Sequence, residues 1–565
     1  MNSGRVLKLD PLSLAYSFPL FCCPLSSLTI CGTVRLNKTF NILFYGIAAL
    51  VLFYNLGHVG IPRQGTEGFY LKILSEMSSM NSYLTPLYLG EPHWSKPPVQ
   101  FWMALPFNEI FGMHSISAGR LAVLLFSLLA LYLSSNLLSR HLKFTRSNIF
   151  FFLLASFGVL KFFRIFMMEN PLSLGIFLTS LYYFEYLQGQ NRRYLFISIF
   201  WGAFTFLVKG PISFAICGLS FFLFHLFDCW QSKWKIDLLK TSAIKLTVYS
   251  VLTLILASLW FIAEFFQYGM SFFNYFFLRE NLGKFTSQRY SPLVLFQGLG
   301  MFALPWILFV SKDFLKLFKS PFSPFLSFNL ISFLVSFSIW FIPSQRSHHY
   351  AMPSLFFFLT ILLLGFETRA TDFFNLKLRR CSILLSLLFA LVPLILLVIV
   401  LKDGNYIFAF TSLIVSLFIL FYFFKEKTIT RFAQTFFILF SIIWYGLIPE
   451  LSLPPLSDSA LTFLNQYDDR TPIYLAHRKP FFIEEYAQVK VNVIEPSQVN
   501  EKIQSGPSIV IFPTAQGPKL DESLIKSQWP TWRRGISAKE AIHALSTRNF
   551  ESLYEYYTLA FRPKQ

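Results

Sequence analysis

Charged residues are scarce in this chain, and acidic residues are the scarcer kind. Only 14% of the 565 residues are charged, with 29 Asp and Glu against 48 Lys and Arg. Hydrophobic residues make up 54% and the mean hydropathy is +0.53, which is too apolar for a soluble multidomain protein. Apolar runs near the length of a bilayer-spanning helix recur along most of the chain. The sequence therefore predicts an all-α polytopic membrane protein.

Several motifs that would indicate other functions are missing. The six cysteines form no CxxC pair, so neither a zinc site nor a disulfide framework is predicted, and cysteine usage does not indicate a compartment. There is no Walker A motif and no Asp-x-Asp pair for a metal-bound nucleotide sugar. The net charge of +19 is dispersed over short loops between apolar runs, as the positive-inside rule requires. We therefore expect contacts with membrane lipids and none with nucleic acid.

Loop charges predict the orientation of the spans. Basic residues occur in every second loop, which places the start of the first span in the cytoplasm and, with an odd number of spans, the C-terminal region outside. About thirteen spans are predicted, at residues 39–58, 119–139, 148–163, 171–188, 194–209, 211–228, 246–264, 293–311, 324–342, 351–367, 381–401, 405–424 and 433–449.

The chain divides into three predicted parts. Residues 1–38 are apolar but broken by prolines and resemble no signal peptide, so their role and the true start site stay open. Residues 39–450 form the transmembrane domain, with long outer loops at 59–118 and 265–292. Residues 451–565 read as a small soluble α/β domain outside the membrane, in which "TPIYLA", "FFIEEY", "VKVNVI" and "SIVIFP" predict strands and "SQVNEKIQ" and "AKEAIHAL" predict helices.

Some charged residues of the predicted outer face are not explained by loop charge alone. Ionisable groups near bilayer depth usually face a cavity or a partner. Lysine and arginine bind phosphate through charge-assisted hydrogen bonds, and a nearby carboxylate can act as a general base. The set indicates a site for a phosphate-bearing lipid; its members are Glu67, Lys96, Glu169, Lys209, Arg279, Glu280, Lys284, Arg289, Arg346, His348 and His349.

Motifs over residues 40 to about 365 resemble those of a known family. In order they are "TEGFYLKILSEM", "YLTPLYLGEPHWSKPPVQFW", "GRLAVLLFSLLALYL", "MMENPLSLGIF", "FLVKGPISF", "RENLGKF", "ALPWILF" and "SQRSHHYAMPSLF". Together they resemble the aminoarabinose-transferase-like branch of the C-type integral-membrane glycosyltransferases, which are related to the protein O-mannosyltransferases. The resemblance implies a C-type glycosyltransferase that moves a monosaccharide from a polyprenyl phosphate to a lipid, glycan or protein acceptor. It also implies a multi-pass protein of the bacterial inner membrane with a periplasmic C-terminal domain.

The resemblance assigns roles to individual residues. Lys96, in the Lys-Pro-Pro turn, is expected to hold the donor phosphate, and its proline-fixed backbone would reduce the ordering entropy lost on binding. Glu67 and Glu169 are the candidate catalytic carboxylates. The further donor-phosphate ligands are expected to be Lys209 and Arg346, and the substrate-binding residues Tyr70, His348, Tyr350, Arg279 and Lys284. No residue is assigned to a metal and no cofactor is required by these motifs; a divalent metal stays open, and His348 and His349 would bind one only beside a carboxylate.

Two departures from the family pattern leave alternatives open. The first acidic motif usually reads Asp-Glu-x-Arg-Tyr, but this chain has Thr66 and Phe69 in place of the aspartate and the arginine. The second, commonly Asp-x-Pro-Leu, begins here with Glu169. A transporter or flippase for a lipid or polysaccharide, and a non-catalytic relative that acts as an assembly partner, therefore remain alternatives. The sequence names neither the sugar nor the acceptor.

Overall fold

The computed structural model describes most of the chain apart from the N-terminal segment and part of the transmembrane region. Residues 1–50 form a unit of their own, in which residues 44–50 are helical. Residues 51–565 form a second unit. The described residues are 42, 44–59, 66–281, 290–310, 317, 322–367, 414, 429–447, 452–466, 471–476, 480–533, 536, 538–547 and 549–563.

Helices dominate the first two thirds of the second unit. Five helical segments among the described residues are long and apolar enough to cross a membrane: Ser115–Leu138, Pro211–Gln231, Ile236–Tyr268, Pro324–Phe341 and His348–Glu367. In chain order the α-helices are α1 Glu67–Ser79, α2 Val99–Glu109, α3 Ser115–Leu138, α4 Arg146–Leu154, α5 Phe157–Phe162, α6 Glu169–Gly189, α7 Arg192–Lys209, α8 Pro211–Gln231, α9 Ile236–Tyr268, α10 Met270–Phe273, α11 Leu293–Phe302, α12 Pro324–Ser338, α13 Met352–Glu367 and α14 Ile429–Ser441.

The predicted count of thirteen spans is not confirmed. The predicted spans 381–401 and 405–424 lie outside the described residues. The predicted span 148–163 is broken where α4 ends at Leu154 and the separate helix α5 begins at Phe157, with Ser156 in its N-cap position. The predicted span 293–311 is a helix only to Phe302, three residues before Pro305, which cannot donate to a helical carbonyl.

The first outer loop contains a short hairpin that presents the next turn of chain. Strands β1 (Leu87–Tyr88) and β2 (Glu91–Pro92) pair antiparallel, and the two residues between them, Leu89 and Gly90, have φ values of 57° and 81°. A two-residue turn with positive φ at both positions matches the twist of a hairpin. The Gly90 N–H donates to Glu76 Oε2 of α1 at 3.0 Å, so the hairpin is held to that helix.

The C-terminal region contains a five-stranded mixed sheet. Its strands are β3 Ile473–Ala476, β4 Asn492–Ile494, β5 Ser508–Pro513, β6 Ile525–Trp532 and β7 Tyr554–Arg562, in the spatial order β4-β3-β5-β7-β6. The pairs β3–β4 and β3–β5 are parallel and the two pairs that involve β7 are antiparallel. Helices α15 Asp458–Asn465, α16 Phe481–Ala487, α17 Val499–Gln504 and α18 Ala538–Thr547 accompany it.

Both faces of this sheet are covered. Along β5, Ile509 and Ile511 belong to one buried cluster, and Val510 and Phe512 belong to another. Alternate residues of a strand point to opposite faces, so a strand covered on both sides reads as a continuous apolar run. This explains why "SIVIFP" is apolar from Ile509 onwards.

One predicted strand of this region is wrong, and two strands were missed. "FFIEEY" is not a strand but the helix α16, which begins after Pro480 and ends before Gln488, whose φ is 54°. Short apolar runs fit a strand and a buried helix equally well by pattern, and here the chain buries Ile483 and Ala487 against the sheet as a helix. Strands β6 and β7 carry polar residues and a proline, which hid them from the same pattern.

The C-terminal region contacts the helix that carries the first acidic motif. Lys72 Nζ of α1 lies 2.7 Å from Glu484 Oε2 of α16 and 3.2 Å from Glu76 Oε1. The Phe482 ring lies so close to Gly68 that a Cβ there would be 2.7 Å from the ring edge. The glycine of "TEGFY" is therefore needed for this close approach of α16.

Candidate active site

A cavity of about 690 Å³ brings together residues from six of the quoted motifs. Most of the wall segments lie where a helix begins or ends, or on a loop between helices, so polar side chains meet there although the helices themselves are apolar. The lining residues are Thr66, Tyr70, Lys96, Met167, Met168, Glu169, Lys209, Arg279, Glu280, Tyr290, Gln345, Arg346, Ser347, His349 and Tyr350.

Lys209 reaches the cavity because the Lys-Gly-Pro sequence ends one helix and starts the next. Lys209 is the last residue of α7, where a cation interacts favourably with the helix dipole. Gly210 has φ +88°, a conformation that favours glycine, and Pro211 occupies the first position of α8, where its missing N–H costs nothing. The Lys209 ammonium lies over the Tyr350 and Trp340 rings, 5.0 and 5.8 Å from their centroids.

Lys96 lies on the loop between β2 and α2. Its ammonium donates to the Ser95 carbonyl at 2.6 Å and lies 3.8 Å from Glu280 Oε2. Pro98 occupies the cap position of α2, so the Lys-Pro-Pro turn leads directly into a helix. The cation and its counter-ion come from the two predicted outer loops, which meet at this point.

Arg346 and Arg279 supply the other two positive charges. The Arg346 guanidinium donates to the carbonyls of Trp340, Tyr290 and Phe341 at 3.1, 2.6 and 2.6 Å. Carbonyls satisfy donors without cancelling charge, so the guanidinium can still attract an anion. Arg279 lies over the Tyr275 ring, 4.9 Å from its centroid. The cavity wall carries four cationic side chains but only two carboxylates, Glu169 and Glu280. This excess of positive charge suits an anionic ligand.

Glu169 is the buried carboxylate of the cavity. It is the first residue of α6 and only 3% exposed, at a helix N-terminus that favours a negative charge. Its Oε1 lies 3.6 Å from Nε2 of His349, whose Nδ1 is 2.8 Å from the Ser347 hydroxyl. Its Oε2 has no hydrogen-bond partner among the described residues. A buried oxygen of this kind can accept a hydrogen bond from a bound ligand.

Two tyrosines line the cavity near Glu169. Burial raises the pKa of the Tyr70 phenol, and the Glu169 carboxylate raises it further. Tyr70 therefore stays protonated at neutral pH and can donate a hydrogen bond. Tyr350 stacks on Trp340, with ring centroids 4.4 Å apart, which fixes the ring that faces Lys209.

Glu67 is not among the residues that line the cavity. It is fully buried, and its two oxygens accept from Arg120 Nε and Nη2 at 2.8 and 3.0 Å. The Phe166 N–H donates to the same carboxylate at 3.0 Å. Arg120 donates further to the carbonyls of Leu56 and His58. Both oxygens of Glu67 are thus engaged in joining α1 to α3.

Thr66, by contrast, lines the cavity, and its hydroxyl donates to the Met167 sulfur at 3.1 Å. The missing family aspartate therefore falls on a cavity position, whereas the retained Glu67 falls on the position that pairs with Arg120. The substitution removes a carboxylate from the cavity and leaves Glu169 and Glu280 there.

The remaining predicted residues lie elsewhere. His348 is not in the lining; its carbonyl is against α11, where a Cβ on Gly298 would come within 2.4 Å of it. Lys284 lies outside the described residues. In the described part of the chain, no three His, Cys, Asp or Glu side chains form a group that could hold a metal ion.

Sequence reasoning missed several contacts of the site. Glu280 was placed on the outer face without a role, and His349 was considered only as a metal ligand beside a carboxylate. Each contacts a predicted site residue. Arg120 is in the quoted "GRLAVLLF" motif, and its partner lies 53 positions away. Glu264 was not singled out, although its two oxygens accept from Trp94 Nε1 at 2.7 Å and Thr85 Oγ1 at 2.9 Å.

Comparison with known proteins agrees with this architecture. Residues 95–263 match the family described as dolichyl-phosphate-mannose-protein mannosyltransferase. The crystal structure of ArnT from Cupriavidus metallidurans bound to undecaprenyl phosphate superposes with a TM-score of 0.67, at 15% identity, over 92% of this chain and 98% of that chain. The apo ArnT structure gives a TM-score of 0.66, at 15% identity, over 93% and 98%. The chain therefore has the fold of the C-type membrane glycosyltransferases, and the resemblance inferred from its motifs is confirmed.

A curated relative also matches at the sequence level. A protein of Aquifex aeolicus (strain VF5), described as "Uncharacterized protein", is 27% identical over 316 residues, which are 54% of this chain. The match spans 60% of that relative's length. The family whose model matches residues 95–263 is one of mannosyltransferases, and the matching fold, that of ArnT, is a membrane-protein fold.

Proposed function

We propose that this protein transfers a monosaccharide from a polyprenyl-phosphate donor to a lipid, glycan or protein acceptor at the outer face of a bacterial inner membrane. The observation that carries the proposal is the cavity in which Lys96, Lys209, Arg279 and Arg346 face Glu169. It combines the charge that a phosphate needs with one buried carboxylate oxygen that has no partner among the described residues. That ArnT was crystallised with undecaprenyl phosphate supports a lipid-linked donor.

The cations would act mainly in the transition state. A polyprenyl-phosphate sugar carries one negative charge on its phosphodiester, and the departing polyprenyl phosphate gains a second charge as the bond from the anomeric carbon to oxygen breaks. Preorganised cations stabilise charge that develops during the reaction more than charge already present. Lys96 and Lys209 would therefore lower the barrier as well as bind the donor.

Glu169 is the candidate general base for a hydroxyl acceptor. The acceptor oxygen attacks the anomeric carbon, its proton passes to the Glu169 carboxylate, and polyprenyl phosphate leaves with the bonding electron pair. His349 and the N-terminus of α6 would orient the carboxylate. If the acceptor is a phosphate, as on lipid A, the nucleophile is already anionic and Glu169 would orient the acceptor.

Glu67 would then be a positioning residue. Its pairing with Arg120 fixes the start of α1, from which Thr66 and Tyr70 reach the cavity. Tyr70 and Tyr350 would contact the substrate, and a divalent metal is not required by these steps.

The test is sugar transfer by purified full-length protein in nanodiscs, with a panel of radiolabelled polyprenyl-phosphate monosaccharides and a membrane lipid extract as the source of acceptors. Transfer of label to a new lipid or glycan should fall at least about a hundredfold in Lys96→Ala. Lys240→Ala, which removes an exposed lysine of α9, is the matched control and should transfer at the wild-type rate.

Two other outcomes would assign a different function. Absence of transfer from every donor, with tight Lys96-dependent binding of polyprenyl phosphate, would indicate a carrier or a non-catalytic relative. Thr66→Asp separates these two, because it restores the missing carboxylate to the cavity. If this variant gains transfer that the wild type lacks, the chain is a degenerate enzyme.

A further inference from the structure

Glu264 is a buried carboxylate that the proposed reaction does not use. It lies in the last turns of α9, an apolar helix long enough to cross a membrane, and has no exposed surface. Ionisable residues in such helices are costly and usually serve a specific partner. Two neutral donors, the Trp94 indole and the Thr85 hydroxyl, form hydrogen bonds with Glu264, and both belong to the predicted outer loop that carries Lys96.

These bonds fix the loop at both sides of its hairpin. Thr85 lies just before β1, and Trp94 lies after β2, two residues before Lys96. One carboxylate therefore closes the base of the hairpin onto α9. A third hydrogen bond between the same helix and this loop, from Trp260 Nε1 to the Leu84 carbonyl at 3.0 Å, holds the residue next to Thr85.

The Trp94 ring also links this loop to the second outer loop. It makes edge contacts with Tyr268, Phe272 and Tyr275, with ring centroids 5.0 to 5.7 Å apart. Tyr275 in turn lies under Arg279. The side chain that Glu264 binds is thus packed between the segments that carry Lys96 and Arg279.

We propose that Glu264 is a positioning residue that sets the place of Lys96 in the cavity through Trp94 and Thr85. The inference rests on the proposed function for its consequence, because a misplaced cation matters only if a phosphate binds there. A buried, hydrogen-bonded carboxylate holds a loop more firmly than packing alone, since releasing it would leave a charge without donors in an apolar surrounding.

The conservative variant gives a sharp test. In Glu264→Gln the amide oxygen can still accept from Trp94, and the amide nitrogen can donate to the Thr85 hydroxyl. Glu264→Leu keeps the volume but removes both acceptors. We expect Glu264→Leu to weaken binding of undecaprenyl phosphate at least about tenfold, and Glu264→Gln to stay within about threefold of the wild type.

Coupling to Lys96 distinguishes positioning from general damage. If Glu264 acts through Lys96, the double variant that combines Glu264→Leu with Lys96→Ala should bind undecaprenyl phosphate no more weakly than Lys96→Ala alone. Glu185→Leu is the control, because it removes another buried carboxylate, one that pairs with Arg140 and His141 away from the cavity. It should lower the melting temperature without changing the affinity. Additive losses, or a loss of affinity in Glu185→Leu that matches its loss of stability, would overturn the inference.

A readout without donor separates this inference from the proposed function. The Lys96 side chain is 13% exposed, so its acetylation by an activated ester, followed by mass spectrometry, reports on the loop. Glu264→Leu should acetylate at least about fivefold faster than the wild type and Glu264→Gln at the wild-type rate. Equal rates in all three proteins would contradict the positioning role, whatever the protein transfers. Faster acetylation with no effect of Lys96→Ala on binding would leave the positioning role standing and contradict the function proposed for the cavity.

Discussion

Glu67 and Glu169 belong to the two acidic motifs of this chain, and their surroundings differ in every respect that matters for catalysis. Glu67 binds a guanidinium with both oxygens and accepts a backbone N–H, away from the cavity. Glu169 lines the cavity, contacts a histidine through one oxygen and has no partner for the other among the described residues. A carboxylate whose oxygens are all engaged stabilises a fold, whereas one with a buried oxygen that lacks a partner can act on a ligand.

Glu169→Gln tests the catalytic half of this comparison and should have the largest effect. The amide cannot accept a proton, so transfer to a hydroxyl acceptor should fall by a factor of about 100 to 10,000. The melting temperature should stay near that of the wild type, because the substitution neutralises a charge that lacks a strong cationic partner. Transfer and melting temperature measured on the same nanodisc preparation check both. Undiminished transfer would exclude Glu169 as the base or would indicate a phosphate acceptor.

Glu67→Gln tests the structural half. It leaves Arg120 as a buried cation without its carboxylate, which costs about 3 kcal/mol or more of unfolding free energy. The loss should appear as a lower thermal midpoint in detergent. Arg120→Gln should cause a similar loss, and the double variant should lose less than the sum of the two. Strictly additive losses would show that the pair is not the source of the stability, and lost transfer at unchanged stability would return Glu67 to the reaction.

The smallest expected effect is on the pH dependence of stability, through His93, which packs against the helix that carries Glu67. His93 packs against Phe69 of α1, with ring centroids 4.9 Å apart, and its Nδ1 is 3.1 Å from the Tyr275 hydroxyl. Burial lowers the pKa of His93 to about 4; the Glu280 charge opposes this shift, whereas Lys96 and Arg279 add to it. The unfolded chain, with a pKa near 6.5, binds more protons between these values, so stability should fall as the pH drops from about 6.5 to about 4.

His93→Phe removes this titration and should flatten the dependence of the melting temperature on pH over that range. Tyr275→Phe is the control, since it removes the same hydrogen bond but keeps the imidazole, and it should retain the slope. An unchanged slope in His93→Phe would assign the acid sensitivity to another group and separate it from the α1 region.

Much of the site could be predicted because its residues lie at helix ends that the sequence marks. Lys209 precedes Gly-Pro, Lys96 precedes Pro-Pro and Glu169 precedes Asn-Pro, so each occupies a break between helices where a polar side chain leaves the apolar surface. Of the ten residues predicted for the site, seven line the cavity: Tyr70, Lys96, Glu169, Lys209, Arg279, Arg346 and Tyr350. Their catalytic and binding roles stay predictions.

Which of the two carboxylates, Glu67 or Glu169, lines the cavity could not be predicted. It depends on Arg120, which is 53 positions from Glu67 and lies in a motif with no acidic residue. In the same way, the sequence shows Glu264 only as a carboxylate in a long apolar helix. Its partner Trp94 lies 170 positions away and is identified only by the folded structure. Hydrogen-bond partners at such separations are set by packing, which no local periodicity records.

The sequence by itself determined that this is a polytopic helical membrane protein, because hydropathy and helix-breaking turns act locally along the chain. The C-type glycosyltransferase fold was implied by the resemblance of its motifs to a known family. Only the tertiary structure decided that "FFIEEY" folds as a helix against α1, that Glu67 pairs with Arg120, and that Glu169 lines the cavity and has one buried oxygen without a partner among the described residues. The physical reason is the same in each case. A buried polar side chain takes the conformation in which it forms hydrogen bonds, and a short apolar run that fits both helix and strand takes the one that packs best. In both cases the partners come from distant parts of the chain.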